Sequence, residues 1–263
     1  MRIGEMRINL KKSFGQHFLN DKNIIAKEVR LLEVKNKTVL EIGAGDGRLT
    51  KQLLSAGAKK IIAVEKDRKM ITVLNNLFEE EKRIKIIHAD FLKIKPSKFK
   101  FEKIIGNIPY YISSEILFRL KEFDFEDAVI MVQDEFAKKM IACPGEKNYG
   151  RLSVTSQLFY EIKYISKIPA HLFIPCPKVN SAIIRLKKKK ACTDKHMGKQ
   201  IKQIENIIRI LFQHKNKTVR NALYDGGFDK EEIKILEDLL KKRPRELRLD
   251  LILEICKKII IKK

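Results

Sequence analysis

Thr38-Val39-Leu40-Glu41-Ile42-Gly43-Ala44-Gly45-Asp46-Gly47 is the stretch that decides the fold. A short β-rich apolar run, Thr38 to Ile42, passes into three glycines at alternate positions, and an amphipathic helical pattern opens at about Arg48. Glycines at a strand-to-helix turn let the backbone bend sharply and approach a ligand. The spacing is G-x-G-x-G with an acid two residues before the first glycine, not the G-x-G-x-x-G of nicotinamide-binding units. It suits a nucleoside ligand without a pyrophosphate.

Outward from this turn, short apolar runs alternate with amphipathic ones: Lys60 to Glu65, Ile84 to His88, Lys103 to Gly106, Ala128 to Gln133, Ile162 to Ile168 and Ala182 to Lys187. With Thr38 to Ile42 they make seven strands of a mostly parallel, doubly wound, Rossmann-like α/β sheet, the last two side by side at one edge. After Thr193 the periodicity becomes helical, as in Ile201, Ile204, Ile207, Ile208, Leu211 and Phe212. A lysine run, Lys187 to Lys190, separates the two regimes. The expected organisation is an α/β domain over residues 1–187 and a small all-α domain over 188–263.

Lys and Arg outnumber Asp and Glu by 56 to 33, a formal charge of +23. From Lys187 onward 22 basic residues face 11 acidic ones. Such an excess points to a polyanionic partner, because phosphate neutralisation and counterion release supply much of the affinity for nucleic acids. The helical region is the expected RNA-facing surface, with Lys215, Lys217 and Arg220 as its candidate contacts. The cysteines, at 143, 176, 192 and 256, form no C-x-x-C pair, so neither a disulfide framework nor a metal site is expected. The apolar runs are too short to span a bilayer and no secretory signal opens the sequence; a cytoplasmic location is expected.

Chemistry concentrates at the strand ends. Val64-Glu65-Lys66-Asp67 closes the second strand where an α/β nucleoside site places a carboxylate to accept from ribose hydroxyls, so Glu65 is the candidate. At His88-Ala89-Asp90-Phe91, Asp90 is placed to accept an adenine amine of a cofactor and Phe91 to pack on its ring. The fourth strand runs into Gly106-Asn107-Ile108-Pro109-Tyr110. An exocyclic adenine nitrogen is a poor nucleophile because its lone pair is delocalised into the ring. Two acceptors for its hydrogens, the Asn107 side-chain oxygen and the Ile108 carbonyl, favour a more tetrahedral nitrogen. Pro109 would stiffen the turn and Tyr110 would offer a stacking face.

The glycine-rich turn resembles the first motif of class I methyltransferases, and the chain as a whole resembles the KsgA-type ribosomal RNA adenine N6-dimethyltransferases, relatives of the Erm enzymes. Beside the motifs above, the resemblance rests on Phe14-Gly15-Gln16-His17-Phe18-Leu19-Asn20-Asp21, Asn148-Tyr149-Gly150-Arg151-Leu152-Ser153-Val154, the stretch from Phe173 to Ala182, and that from Phe212 to Leu223. It implies S-adenosylmethionine as methyl donor, His17, Leu19, Gly43, Gly45, Glu65, Asp90 and Asn107 at the cofactor, and Phe173 against the target adenine. It further implies a monomeric enzyme acting on two adjacent adenosines near the 3′ end of small-subunit rRNA in an assembling particle. Rival readings are an Erm-type enzyme acting on large-subunit rRNA, a DNA adenine methyltransferase, and a non-catalytic RNA-binding assembly factor. The Asn-Ile-Pro-Tyr sequence departs from the Asp/Asn-Pro-Pro-Tyr usual in the DNA enzymes.

Overall fold

The computed structural model describes residues 2–3, 6–7, 17–189, 198–214 and 216–262. The Phe14-Gly15-Gln16 part of the N-terminal signature, Cys192 and Lys215 lie outside the described residues.

Seven strands build one sheet: β1 (Thr38–Ile42), β2 (Lys60–Glu65), β3 (Ile84–His88), β4 (Lys103–Asn107), β5 (Asp127–Gln133), β6 (Tyr160–Ile168) and β7 (Ser181–Lys188). Their spatial order is β3-β2-β1-β4-β5-β7-β6. The first five are mutually parallel, as in Leu40 opposite Ile62 and Ile104 opposite Leu40. β7 runs antiparallel to β5, with Ile183 opposite Met131. Central strands of such a sheet are covered on both faces, which is why β5 reads as an unbroken apolar run and is buried from Asp127 to Val132.

The strand order reverses between β1 and β4. Connections from the carboxyl ends of those strands leave in opposite directions and open a crevice, the usual ligand position in open α/β sheets. Gly106, near the end of β4, meets this geometry from the inside: a Cβ there would stand 2.6 Å from the Ile42 carbonyl oxygen, so only glycine lets β4 lie this close to the end of β1.

Helices α1 (Lys22–Leu32), α2 (Arg48–Ser55), α3 (Arg68–Leu77) and α4 (Ser113–Leu120) accompany the strands. Asp21 caps α1, accepting from the amides of Asn23 at 2.8 Å and Ile24 at 3.0 Å. The buried stripe of α1 is Ile25, Glu28, Val29 and Leu32, a helical i, i+3, i+4, i+7 face in which one member is an acid. Two distant segments pair as short antiparallel strands, Leu19 opposite Phe173 and Phe18 opposite Ile174.

Contacts divide the chain into two compact units, Met1–Ala137 with Lys163–Lys188, and Lys138–Ile162 with Lys189–Lys263. The sequence pattern places a single boundary at residue 187; in the structure residues 138–162 cluster with the C-terminal helices instead. The physical tie is visible at Tyr149, whose hydroxyl donates to the Leu247 carbonyl at 2.7 Å and whose ring meets Phe212 edge-on at 5.9 Å. Within this second unit α5 (Asp134–Ile141) ends, α6 (Arg151–Phe159) follows, and α7 (Gly198–Gln213), α8 (Val219–Asp225), α9 (Lys230–Ile233) and α10 (Leu249–Lys262) complete it. Its core takes Ile204, Ile207, Ile208 and Leu211 from α7 and Ile252, Ile255 and Ile259 from α10. Among the described residues no helix is long and apolar enough to cross a membrane.

Candidate active site

At the carboxyl ends of β1, β2 and β4 a cleft is walled by His17, Leu19, Gly43, Gly45, Glu65, Asp90, Phe91, Asn107, Ile108, Pro109, Tyr110 and Phe173. Every residue that the sequence nominates for cofactor or base is thus brought to one place, from segments more than 150 residues apart in the chain.

Glu65 organises the glycine turn. Its Oε2 accepts from the Gly45 amide at 2.9 Å, and its Oε1 accepts from the amides of Lys66 and Asp67, each at 2.7 Å. Three of the roughly four lone-pair positions of a carboxylate are filled by backbone, and one on Oε2 remains. Gly45 sits at φ +54°, and a Cβ there would stand 2.9 Å from Phe18 Cε1, so both the left-handed backbone and the aromatic neighbour require glycine. Before Gly43 there is open space, with nothing within 4 Å of where a Cβ would be. Asp46 and Arg48 lock the turn to the N-terminal strand: the Arg48 guanidinium donates to both Asp46 oxygens and to the Leu19 carbonyl.

Asp90 accepts from Lys66 Nζ at 2.9 Å and from the Leu92 amide at 3.0 Å. Burial pushes its carboxyl up, but the Lys66 ammonium and the Leu92 N–H outweigh it and hold Asp90 below the usual carboxylate range, ionised at neutral pH.

The turn after β4 is pinned by the Ile108 amide, which donates to the Met131 carbonyl at 3.0 Å. Asn107 lines the cleft, and its Oδ1 is buried and without a hydrogen-bond partner among the described residues. The Tyr110 hydroxyl and Ser181 Oγ share a hydrogen bond of 2.6 Å, and burial raises the phenol above its ordinary value. Its ring stacks on His17 at 5.8 Å and 21°. His17 Nδ1 lies 2.7 Å from the Pro175 carbonyl; a carbonyl only accepts, so Nδ1 carries the hydrogen. Phe173 is 4% exposed, its backbone paired to Leu19.

The RNA candidates lie elsewhere, in the helical unit. Lys217 Nζ pairs with Asp225 at 2.7 Å and remains solvent-exposed, and Arg220 is exposed on α8. Among the described residues no cluster of three or more His, Cys, Asp or Glu is arranged to hold a metal ion.

Sequence reasoning missed three features. Tyr111 lines the cleft at 55% exposed, a free aromatic face next to Tyr110; two consecutive tyrosines after the proline were its signal. The Asp46–Arg48 lock was visible only as an acid in a glycine turn. Glu28 is fully buried on α1, and its signal was an acid on an otherwise apolar helical stripe.

The family description "Ribosomal RNA adenine dimethylase" matches residues 7–257. This chain belongs to that family. Among relatives of this adenine dimethylase, a protein of Methanococcus maripaludis named "Probable ribosomal RNA small subunit methyltransferase A" is 41% identical over 232 residues, covering 88% of this chain and 86% of its own. One of the same name in Pyrococcus furiosus is 39% identical, covering 92% and 87%. Of solved structures, a dimethyladenosine transferase from Plasmodium falciparum superposes with a TM-score of 0.82 at 30% identity, covering 94% of this chain and 98% of its own. The 23S rRNA methyltransferase ErmE superposes at 0.70 with 26% identity, covering 92% and 99%. The class I methyltransferase architecture read from the glycine turn is therefore the fold of this adenine dimethylase.

Proposed function

We propose that the protein is an S-adenosylmethionine-dependent dimethyltransferase acting on the exocyclic amine of adenosines in small-subunit rRNA. One observation carries the reading: the Asn107-Ile108-Pro109-Tyr110 turn, the open glycine turn and the acids Glu65 and Asp90 share a single cleft at the point where the strand order reverses.

The residues present suit the cofactor. Open space before Gly43 admits a ligand against the backbone; the remaining Glu65 lone pair would accept from ribose hydroxyls, Asp90 would accept from an adenine amine beside Phe91, and His17 and Leu19 would also contact the cofactor. S-adenosylmethionine supplies an electrophilic methyl carbon when bound. The protein's own part is to hold the target adenine: Asn107 Oδ1 and the Ile108 carbonyl accept its amine hydrogens, favouring a nitrogen lone pair directed at the methyl. Pro109 keeps the turn stiff, and Tyr110 and Phe173 flank the extruded base. With the donor bound there, the methyl would pass from its sulfur to the adenine nitrogen, with one amine proton going to water. The sulfonium charge is neutralised along the reaction, so alignment rather than charge stabilisation is the main demand.

The finer reading is a cytoplasmic monomer that modifies two adjacent adenosines near the 3′ end of the rRNA in an assembling small subunit, with Lys215, Lys217 and Arg220 of the helical unit on RNA phosphates. The second reading, large-subunit rRNA, draws on the likeness to ErmE; the names of the relatives favour the small subunit. Incubating unmodified small-subunit particles and large-subunit rRNA separately with the protein and labelled cofactor, then mapping by mass spectrometry, decides. Dimethyladenosine confined to the small-subunit RNA is expected; label only in the large-subunit RNA overturns the substrate assignment, and no label in either overturns the enzymatic one.

A further inference from the structure

At the edge of the cleft sits a buried hydroxyl that none of the chemistry above uses. Ser181, the first residue of β7, is 0% exposed and lines the cleft, and its Oγ lies 2.6 Å from the Tyr110 hydroxyl. The sheet fixes its place. Ser181 stands opposite Gln133 of β5, and the residue before it is held twice: the Asn180 carbonyl accepts from the Asp134 amide at 3.0 Å, and Asn180 Oδ1 accepts from the Ala170 amide at 3.1 Å. A buried hydroxyl left without a partner is costly, and among the described residues Ser181 Oγ finds its partner in the Tyr110 phenol. Either hydroxyl can donate, and burial raises the phenol above its ordinary value, so it keeps its proton.

A tyrosine ring has two side-chain dihedrals to fix. Its hydroxyl lies on the axis about which the ring turns, so a bond at that atom sets where the tip of the ring stands and leaves its plane free. His17 supplies the second restraint. Its ring stacks on that of Tyr110 at 5.8 Å and 21°, and is itself tied through Nδ1 to the Pro175 carbonyl at 2.7 Å. The backbone of the same turn is held to β5, where the Ile108 amide donates to the Met131 carbonyl, and Met131 stands opposite Ile183 of β7. Backbone and ring of the turn are therefore gauged against one pair of adjacent strands.

We propose that Ser181 is a positioning residue for Tyr110: its hydroxyl holds the tip of the ring, so that the stacking face stands ready for the target adenine. This rests on the role given to Tyr110 under the proposed function. A side chain ordered beforehand loses less freedom when its ligand arrives, so the benefit falls on capture of the base rather than on methyl transfer. A hydroxyl that served the sheet alone would affect stability and leave capture untouched.

Three variants of the intact protein, assayed on unmodified small-subunit particles, test it. Ser181→Ala should raise KM for the particles about three- to tenfold, with the maximal rate within about twofold of wild type and the Kd for S-adenosylmethionine unchanged. Tyr110→Phe breaks the same bond from the other side and should match it. The double variant should lose no more than the worse of the two, because two changes that remove one interaction do not add. An unchanged KM in either single variant overturns the proposal, even where the melting temperature falls, since that is the mark of a hydroxyl serving stability alone. Additive losses in the double variant overturn it as well, because Ser181 then acts by a route other than Tyr110. Failure of the wild type itself to methylate RNA would sink the proposed function, whereas an active wild type indifferent to residue 181 sinks only this inference.

Discussion

Replacing Glu65 by Gln tests the architecture of the cleft with the smallest change of shape. The carboxylate holds three backbone amides, two on Oε1 and one, from Gly45, on Oε2. Gln keeps one oxygen, which serves the paired amides of Lys66 and Asp67 best. The new NH2 then faces the Gly45 N–H, donor against donor, and the position open to a ribose hydroxyl is lost as an acceptor as well. One charge-assisted bond of roughly 1.5 to 3 kcal/mol disappears from the turn that shapes the cofactor cleft. If that energy is expressed in binding, Kd for S-adenosylmethionine rises about 10- to 150-fold. Isothermal titration calorimetry on protein of wild-type circular dichroism gives the number, with RNA affinity as the control that should not move. A Glu65→Gln protein binding the cofactor within twofold of wild type would refute both the ribose role and the coupling of the carboxylate to the glycine turn.

Asn107→Ala should lower turnover on the order of 100- to 1,000-fold while RNA binding holds, the mark of an interaction made in the transition state; near wild-type dimethylation in a single-turnover assay contradicts it. Tyr110→Ala should weaken capture of the target base by about 1 to 3 kcal/mol through loss of a stacking face. Tyr110→Phe forfeits only the hydroxyl bond to Ser181 and should shift KM by no more than about tenfold. Neutralising Lys217 and Arg220 should flatten the dependence of RNA affinity on salt, read from filter binding over a salt series, and an unchanged slope excludes this face as the contact. Thermal stability should depend on pH through Glu28 and Glu41, both pushed up to about 8 by burial. Between their unfolded values near 4.5 and about 8 the folded state binds protons that the unfolded state has released, so stability falls as pH rises, by at most about 1.4 kcal/mol per pH unit for each group. Scanning calorimetry across that window should find Glu28→Gln less pH-sensitive than wild type.

The central strands of the sheet were legible because they are buried on both faces: runs such as Ala128 to Val132 carry the signal without any need for alternation. The glycine turn was legible because its backbone conformation restricts the residue type, as at Gly45. The place of β7 between β5 and β6 was not, since pairing partners leave no mark in a strand's own sequence. Residues 138–162 likewise read as more of the α/β pattern, and only the reach of Tyr149 to Leu247 and Phe212 shows which core they serve. Glu65 was nominated for a ribose, but its three backbone bonds are invisible to any strand-end rule. Glu28 escaped because a single acid in a helix is ordinarily solvated, and its burial is decided by the rotation of α1 against β4 and β5.

The clasp between Phe18–Leu19 and Phe173–Ile174 also has a meaning in time. The Asn20 amide bonds the Leu172 carbonyl at 2.7 Å, and His17 bonds the Pro175 carbonyl 158 positions later. A chain made from its N-terminus finishes β1, β2 and β4, and with them the nucleoside pocket, well before residue 173 exists. Only later is the far wall delivered, and closing so long a loop is slow relative to local folding. A chain ending short of Phe173 would lack the segment that pairs with Leu19 and bonds His17, and that side of the cleft would have no partner to close on. Synthesis thus completes the strand ends that floor the cleft before the segment that closes it exists.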